Sequence, residues 1–141
     1  EEVVELVNGW VGKTKLWADI QTLKYLVKGG RVSPLKGVIA RILNLKPIIS
    51  VDAEGKATAA GRSFSRRGNM KRILQMVRDI AAREKIWRYA IVHAANPRRA
   101  QAYAQKLSEF LGREPAYIMD VSPVVGVHNG IGVLGISVLT E

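Results

Sequence analysis

The chain has 141 residues, of which 48% are hydrophobic and 24% charged, as in one globular domain with a buried core. Its formal net charge of +10 favours anionic partners such as nucleic acid, phosphorylated molecules, fatty carboxylates or acidic protein surfaces. Cysteine is absent, which excludes disulfides and thiolate sites and fits a cytoplasmic setting, and no apolar run approaches the roughly 20 residues of a membrane helix.

Short helical and strand patterns alternate at the start of the chain. Residues 1–13 predict a short helix that ends near Asn8-Gly9 and forms the tail of a preceding segment or a linker. A strand-like pattern follows from Lys13 to Ile20, and a short helix then ends at Gly29-Gly30. Residues 34–45 predict a longer helix with one apolar face, made of Leu35, Val38, Ile39, Ile42 and Leu43.

A hairpin is predicted next. Residues 48–51 form one strand, Asp52-Ala53-Glu54-Gly55 has the composition of a tight turn, and residues 56–64 form the returning strand. Because strands joined by a tight turn run antiparallel, the sheet that contains this hairpin cannot be purely parallel.

The second half of the chain alternates helices and strands again. A basic loop over residues 62–68 leads to a long helix that starts near Asn69. Its predicted buried stripe consists of Met70, Ile73, Leu74, Val77, Ile80 and Ala81. The remaining elements are a strand over 89–92, a helix from Asn96-Pro97 to Gly112, and strands over 116–121 and 133–139.

The order of these elements predicts an α+β fold, a two-layer α/β sandwich. Its sheet is mixed and largely antiparallel, has about six strands, and carries helices packed on it.

A histidine lies among glycines just before the last predicted strand, in Gly126-Val127-His128-Asn129-Gly130-Ile131-Gly132. Glycine lets a backbone turn sharply and approach a ligand, and histidine can donate a hydrogen bond to an anion or change charge near neutral pH. Upstream, Ser122-Pro123 has the pattern of a helix cap. We interpret the segment as an irregular, ligand-facing corner, although a histidine flanked by glycines can equally be a turn residue.

Residues suited to catalysis are few. Only His93 and His128 are ordinary neutral-pH bases, and no Gly-x-Ser-x-Gly elbow supplies a nucleophile. Asp120 and His128 could approach each other, but two residues do not make a metal site, and His93 is more typical of a structural hydrogen-bonding role. The sequence therefore favours neither an enzyme within this chain nor a metal site.

Two further features each allow two interpretations. A basic cluster over residues 62–72 (Arg62, Arg66, Arg67, Lys71 and Arg72) could bind nucleic-acid phosphates, but no recognised nucleic-acid motif accompanies it and such a run is more often a solvated face. The apolar helix over 34–45 can be core or, because Ala40 and Leu45 on its other edge are also uncharged, the wall of a lipid slot.

Four separated motifs together resemble the DegV family. Residues 23–33 resemble its segment LxYLxxGGRIS, residues 43–49 resemble LLxIKPIL, residues 93–97 resemble HADNP, and residues 126–136 resemble GxHxGPGxLGI. Their order and spacing agree along nearly the whole chain from about Leu16. One departure is Ile131, which stands where the family usually has proline; this loosens the loop but leaves the histidine and glycines in place.

The resemblance implies a lipid-binding protein that is not an enzyme and needs no cofactor. Family members have two domains, and residues 14–141 resemble the C-terminal one, so that the N-terminal domain would be a partner absent from this chain. The implied ligand is a long-chain fatty acid. Its carboxylate would be presented to a partner fatty acid kinase, which phosphorylates it for phospholipid synthesis.

The same resemblance implies roles for individual residues. Ligand binding falls to Arg31, Gly126, His128, Asn129 and Gly130, with His128 helping to bind the carboxyl group. The acyl pocket falls to Val38, Ile39, Ile42 and Leu45. The resemblance assigns contact with the kinase to Arg62. For both Arg62 and Arg31, the alternative is a structural ion pair. For the whole chain, the alternative is a nucleic-acid-binding module that uses residues 62–72.

Overall fold

The structure, a computed structural model, describes residues 1–30 and 46–141. Along these residues the elements are α1 (Glu2–Val11), β1 (Thr14–Asp19), α2 (Lys24–Lys28), β2 (Lys46–Val51), β3 (Ala57–Ser63), α3 (Arg66–Ala81), β4 (Ile86–His93), α4 (Pro97–Leu111), β5 (Ile118–Asp120), α5 (Pro123–Asn129) and β6 (Leu134–Thr140). The predicted helix over 34–45 lies outside the described residues, and so do Arg31, Val38, Ile39, Ile42 and Leu45.

The strands form one mixed sheet in the order β3-β2-β1-β6-β4-β5. Each neighbouring pair is antiparallel except β4 and β5, which are parallel. The predicted α+β class and the mixed, largely antiparallel sheet of six strands are therefore confirmed.

The hairpin between β2 and β3 forms as predicted. The Asp52 carboxylate accepts hydrogen bonds from the backbone N–H groups of Glu54 and Lys56, and Gly55 adopts a φ of +77°. A left-handed conformation of this kind favours glycine, because a side chain there would clash with the backbone.

Three predicted boundaries or conformations are wrong. Helix α1 continues to Val11 rather than ending near Asn8-Gly9. Helix α3 begins at Arg66 rather than near Asn69, because the Ser65 side chain accepts a hydrogen bond from the Gly68 N–H and caps the helix earlier. Residues 126–129 are not irregular but form the end of α5, which starts at the predicted Ser122-Pro123 cap.

The two faces of the sheet carry different layers. Helices α3 and α4 cover one face, and the main core lies beneath them with Trp17, Ile73, Tyr89, Tyr103, Leu107 and Ile136 among its members. On the opposite face α2 and α5 stand over a smaller cluster of Ile20, Leu26, Ile49 and Val133. Because side chains alternate along a strand, Trp17 and Ile136 point to the first face while Ala18 and Gly135 point to the second.

Helix α1 lies apart from both layers. In the described part of the chain none of its residues is buried, and its apolar side chains, Val3, Val4, Leu6, Val7 and Val11, are exposed. Trp10 joins it to the sheet: its ring lies 5.5 Å from the Trp87 ring, measured between centroids, and its carbonyl accepts a hydrogen bond from the Thr14 hydroxyl at 2.8 Å.

Candidate functional site

A slot of about 330 Å³ lies between the sheet and the α2/α5 layer. Strand residues form its floor, among them Leu16, Ala18, Ile49, Val92 and Gly135, and its upper wall includes Leu26, Val124, Val125, His128 and Asn129. Its volume falls within the range of small-molecule sites, which extends from roughly 300 to 1,000 Å³.

The lining of the slot is almost entirely apolar. Among the described residues that line it, polar side chains come from Ser50, His128 and Asn129. The Ser50 hydroxyl donates a hydrogen bond to the Leu16 carbonyl at 2.8 Å, and the Asn129 amide donates one to the Val125 carbonyl of its own helix at 2.9 Å. Of the three, His128 is the one whose ring nitrogens both lack a hydrogen-bond partner within the described residues, whereas Ser50 and Asn129 each donate one bond to the backbone.

His128 lies near the end of α5, packed against α2. Its Nδ1 atom is buried and has no hydrogen-bond partner among the residues that the structure describes. The ring fits only because residue 29 is glycine, since a Cβ there would overlap Nδ1. A proton on Nδ1 would have no acceptor among the described residues, so within them the neutral ring favours its proton on Nε2, the nitrogen that can then donate to a carboxylate.

The loop that follows His128 is held by two glycines in left-handed conformations. Gly130 has a φ of +83° and Gly132 a φ of +84°. A Cβ at Gly130 would overlap the Tyr25 ring, and one at Gly132 would overlap the Gln21 side chain. The Gly132 N–H also donates to the Ala94 carbonyl at 2.8 Å. Close packing on α2 and on the end of β4 thus fixes the position of the histidine.

Gly126 and Ile131 make few close contacts with the described structure. At Gly126 an added Cβ would make only an ordinary contact, 3.8 Å from Val121, so the described surroundings do not require glycine there. The Ile131 side chain is 73% exposed, so the exchange of the usual proline for isoleucine changes no buried contact in the described structure.

The family model described as "Uncharacterised protein, DegV family" matches residues 1–141. The chain belongs to the DegV family. A DegV domain-containing protein of Clostridium acetobutylicum is 32% identical over 142 residues, which cover 100% of this chain and 50% of that protein. The chain thus spans about half the length of the curated relatives it matches.

Solved DegV structures share the fold. A fatty-acid-binding DegV family protein from Thermus thermophilus is 25% identical, with a TM-score of 0.83, over 99% of this chain and 49% of that one. A fatty-acid-binding DegV family protein from Streptococcus agalactiae is 23% identical, with a TM-score of 0.85, over 99% of this chain and 49% of that one.

In this DegV chain the basic cluster divides among three places. Arg62, Lys71 and Arg72 surround an open groove at the β3 edge together with Phe64, whose side chain is 69% exposed. Arg66 instead donates a hydrogen bond to the Gln21 side chain, and Arg67 lies at a second groove, between α3 and α4. The described lining of the first groove contains no acidic residue, so it offers three cations to an anionic partner.

His93 has the structural role that its sequence context favours. Its Nδ1 lies 2.9 Å from Asp120 Oδ1, and the ring is buried. The Asp120 carboxylate also accepts a hydrogen bond from the Ala95 N–H at 3.4 Å. Asp120 is therefore paired with His93, and no ion pair between Asp120 and His128 is present among the described residues.

A buried polar cluster at the end of β1 has no counterpart in the sequence predictions. The Asp19 carboxylate, 1% exposed, accepts hydrogen bonds from Asn69 at 2.8 Å, from the Tyr103 hydroxyl at 2.9 Å, and from Arg99. Burial, followed by the charge of Asp19, raises the pKa of Tyr103 above its ordinary value. The cluster ties β1 to α3 and α4. A charged residue ending an apolar strand was its only sequence signal.

Residues 1–30 and 46–141 contain neither a membrane-spanning helix nor a metal-binding group. No helix in these ranges combines the length and apolar character of a membrane span. Nor do three or more histidine, aspartate or glutamate side chains in these ranges come together as a metal-binding group.

Proposed function

We propose that this chain binds a long-chain fatty acid, with the acyl chain in the slot on the α2/α5 face and the carboxylate beside His128. The observation that carries the proposal is the slot itself, whose described lining is apolar apart from Ser50, His128 and Asn129, and in which the His128 Nδ1 has no described hydrogen-bond partner. Burying an alkyl chain contributes about 0.8 kcal/mol per methylene, so an apolar slot of this kind favours long chains. The fatty-acid-binding DegV proteins that share the fold support it.

His128 would hold the carboxylate by donating a hydrogen bond from Nε2. A hydrogen bond to a charged group contributes about 1.5–3 kcal/mol, and the packing of the imidazole on Gly29 keeps the ring in place. Arg31, which the family resemblance also assigns to ligand binding, lies outside the described residues.

The proposal extends to a partner kinase. The chain carries the acid and a separate fatty acid kinase phosphorylates it, so the chain itself is a binding subunit rather than an enzyme. Arg62 would contact the kinase, and its exposed position beside Lys71 and Arg72 supports this role. By the resemblance of its motifs, residues 14–141 would act with the family's N-terminal domain, in the cytoplasm.

The test is titration of the chain with stearic acid and with stearyl alcohol, which has the same alkyl chain but no carboxylate. We expect His128→Ala to weaken stearic acid binding by about tenfold or more, because a hydrogen bond to a charge is lost, and to leave alcohol binding unchanged. Ser50→Ala, a lining residue whose hydroxyl already donates to the Leu16 carbonyl, is the matched control. Equal loss for acid and alcohol would show that His128 does not hold the carboxylate.

The nucleic-acid alternative rests on one observation, the groove with three cations and the exposed Phe64, a residue type on which bases stack. It predicts binding of single-stranded RNA that weakens steeply with salt and is lost in Arg62→Ala. Fatty-acid binding without RNA binding would exclude it.

A further inference from the structure

Both ends of the segment that carries His128 are bonded to the end of β4. Before α5, the Val121 N–H donates a hydrogen bond to the His93 carbonyl at 2.8 Å. After α5, the Gly132 N–H donates one to the Ala94 carbonyl, also at 2.8 Å. None of the residues of α5 is buried in the part of the chain that the structure describes. The segment is therefore held by its two ends and by its packing on α2, because it has no core of its own.

The bond at Gly132 is reinforced by a side chain. Gly132 is buried, and its carbonyl accepts a hydrogen bond from the Asn96 side-chain amide at 3.3 Å. Both backbone polar groups of Gly132 are thus bonded to the turn that follows β4. A buried carbonyl without a partner is unfavourable, so the loop would move towards another donor if the amide were removed.

Asn96 makes this bond instead of the one that its position in the chain favours. It is the N-cap residue of α4, where an asparagine side chain commonly accepts a hydrogen bond from the first turn of the helix. Within the described ranges its side chain makes no such cap bond, and its amide donates to Gly132. A residue that departs from a local rule in this way is expected at a functional position.

The residue before Asn96 has an unfavourable backbone conformation. Ala95 has a φ of +50°, and in residues 1–30 and 46–141 it is the one non-glycine residue with a positive φ. Such conformations persist only where the surroundings impose them, and they concentrate at functional sites. Ala95 lies between Ala94 and Asn96, the two residues that bond to Gly132. The strained turn therefore coincides with the anchor of the His128 segment.

We propose that Asn96 is a positioning residue for ligand binding: its amide fixes the loop at Gly132 and so holds the His128 ring where it meets the carboxylate. The inference rests on the proposed fatty-acid function and adds a residue to its carboxylate site. Gly132 follows His128 closely in the chain, and the intervening Gly130 packs on the Tyr25 ring, so a shift of the loop changes the position of the histidine. Binding sites require such support from residues that do not touch the ligand.

The experiment compares the wild-type chain with Asn96→Ser, because serine is as good an N-cap as asparagine but has no amide to reach Gly132. The dissociation constant for stearic acid should rise by about fivefold, and that for stearyl alcohol should change by less than about twofold, since only the acid bonds to His128 as a charged group. Ser108→Ala is the matched control on the same helix. It removes side-chain hydrogen bonds to Tyr89 and Glu114, and should change neither constant.

A second measurement follows His128 in the absence of ligand. The chain contains two histidines, so the imidazole NMR signals of His128 are identified by their loss in His128→Ala. Asn96→Ser should shift or broaden these signals, because the ring loses its fixed position. Ser108→Ala should leave them unchanged.

The outcomes distinguish the inference from the function on which it rests. A wild-type chain that binds neither ligand overturns the proposed function, and the inference with it. If the wild type binds stearic acid and folded Asn96→Ser keeps either the acid affinity or the His128 signals, or loses acid and alcohol binding equally, the inference alone is wrong. Should Asn96→Ser fail to fold, Asn96→Asp decides by the same signals, since aspartate has a similar shape and cap preference but cannot donate to the carbonyl when ionised.

Discussion

The two faces of the sheet use the same strands for opposite purposes. On the α3/α4 face the strands present large side chains such as Trp17, Tyr89 and Ile136, which pack against two long helices. On the α2/α5 face the next residues along the same strands include Ala18 and Gly135, and two short helices stand over a slot. One face is filled and stabilises the fold, which allows the other to remain partly empty and bind a ligand.

The outer surfaces of the two helical layers also differ. Helix α3 carries exposed cations, including Lys71, Arg72 and Arg78, whereas α5 exposes Val124 and Val127 above the slot. Mutations on the two faces should therefore have separable effects, with core mutations changing stability and slot mutations changing binding.

The largest effect is expected in the filled face. Ile136→Ala deletes a fully buried side chain, and we expect it to lower the free energy of unfolding by about 3 kcal/mol, because the core cannot close around the cavity. Urea denaturation measures the change, with Ser137→Ala on the opposite face of β6 as the control. An equal decrease in the free energy of unfolding in both variants would contradict the view that one face of the sheet stabilises the fold and the other binds a ligand.

An intermediate effect should appear at the contact between α2 and α5. Gly29→Ala is compatible with the backbone, since Gly29 has a φ of −81°, but its methyl group would displace the His128 ring. We expect stearic acid affinity to fall by about tenfold as the hydrogen bond to the carboxylate is lost. Gly12→Ala is the matched control, because no described atom lies within 4 Å of its added Cβ. Unchanged affinity in Gly29→Ala would show that this packing does not position the histidine.

A smaller, pH-dependent effect should come from Tyr103 in the filled face. Burial and the charge of Asp19 raise its pKa above the ordinary value of 10.0, so the folded chain keeps the phenol proton at a pH where the unfolded chain loses it. The stabilisation is fully present below pH 10 and declines as the pH rises above it. Relative to Tyr103→Phe, the wild-type free energy of unfolding should fall by about 1.4 kcal/mol per pH unit in that range.

Urea denaturation of the wild type and Tyr103→Phe below and above pH 10 measures this difference, and the titration of other groups such as Tyr89 cancels between the two proteins. A difference that stays constant with pH would mean that the folded protein titrates Tyr103 normally.

Most of the fold followed from the sequence because its signals are local. The alternation of apolar residues located the strands, and the Asp52–Gly55 turn fixed an antiparallel pair. The predicted boundaries were wrong where a single side chain decides them: Ser65 caps α3 ahead of the predicted start near Asn69. Residues 126–129 were predicted to be irregular because glycine lets a backbone turn sharply, but the Ser122 cap starts a helix that includes them.

The site was predictable only in part. His128 stood out because a histidine among glycines is a local pattern, and the structure places it on the slot. Gly135 and Ala18 gave no comparable signal. Their position side by side in the floor of the slot depends on cross-strand register, which pairs residues far apart in sequence. The same is true of Asp19, whose partners Asn69, Arg99 and Tyr103 come from two helices.

The central claim, that the open face of the sheet holds a fatty acid, is tested most directly by native mass spectrometry of the chain. The chain should be measured as purified and again after incubation with stearic acid, with lipid extraction to identify any ligand. The account predicts a mass increase equal to one fatty acid, reduced in His128→Ala. A chain that shows no added mass under either condition would contradict it.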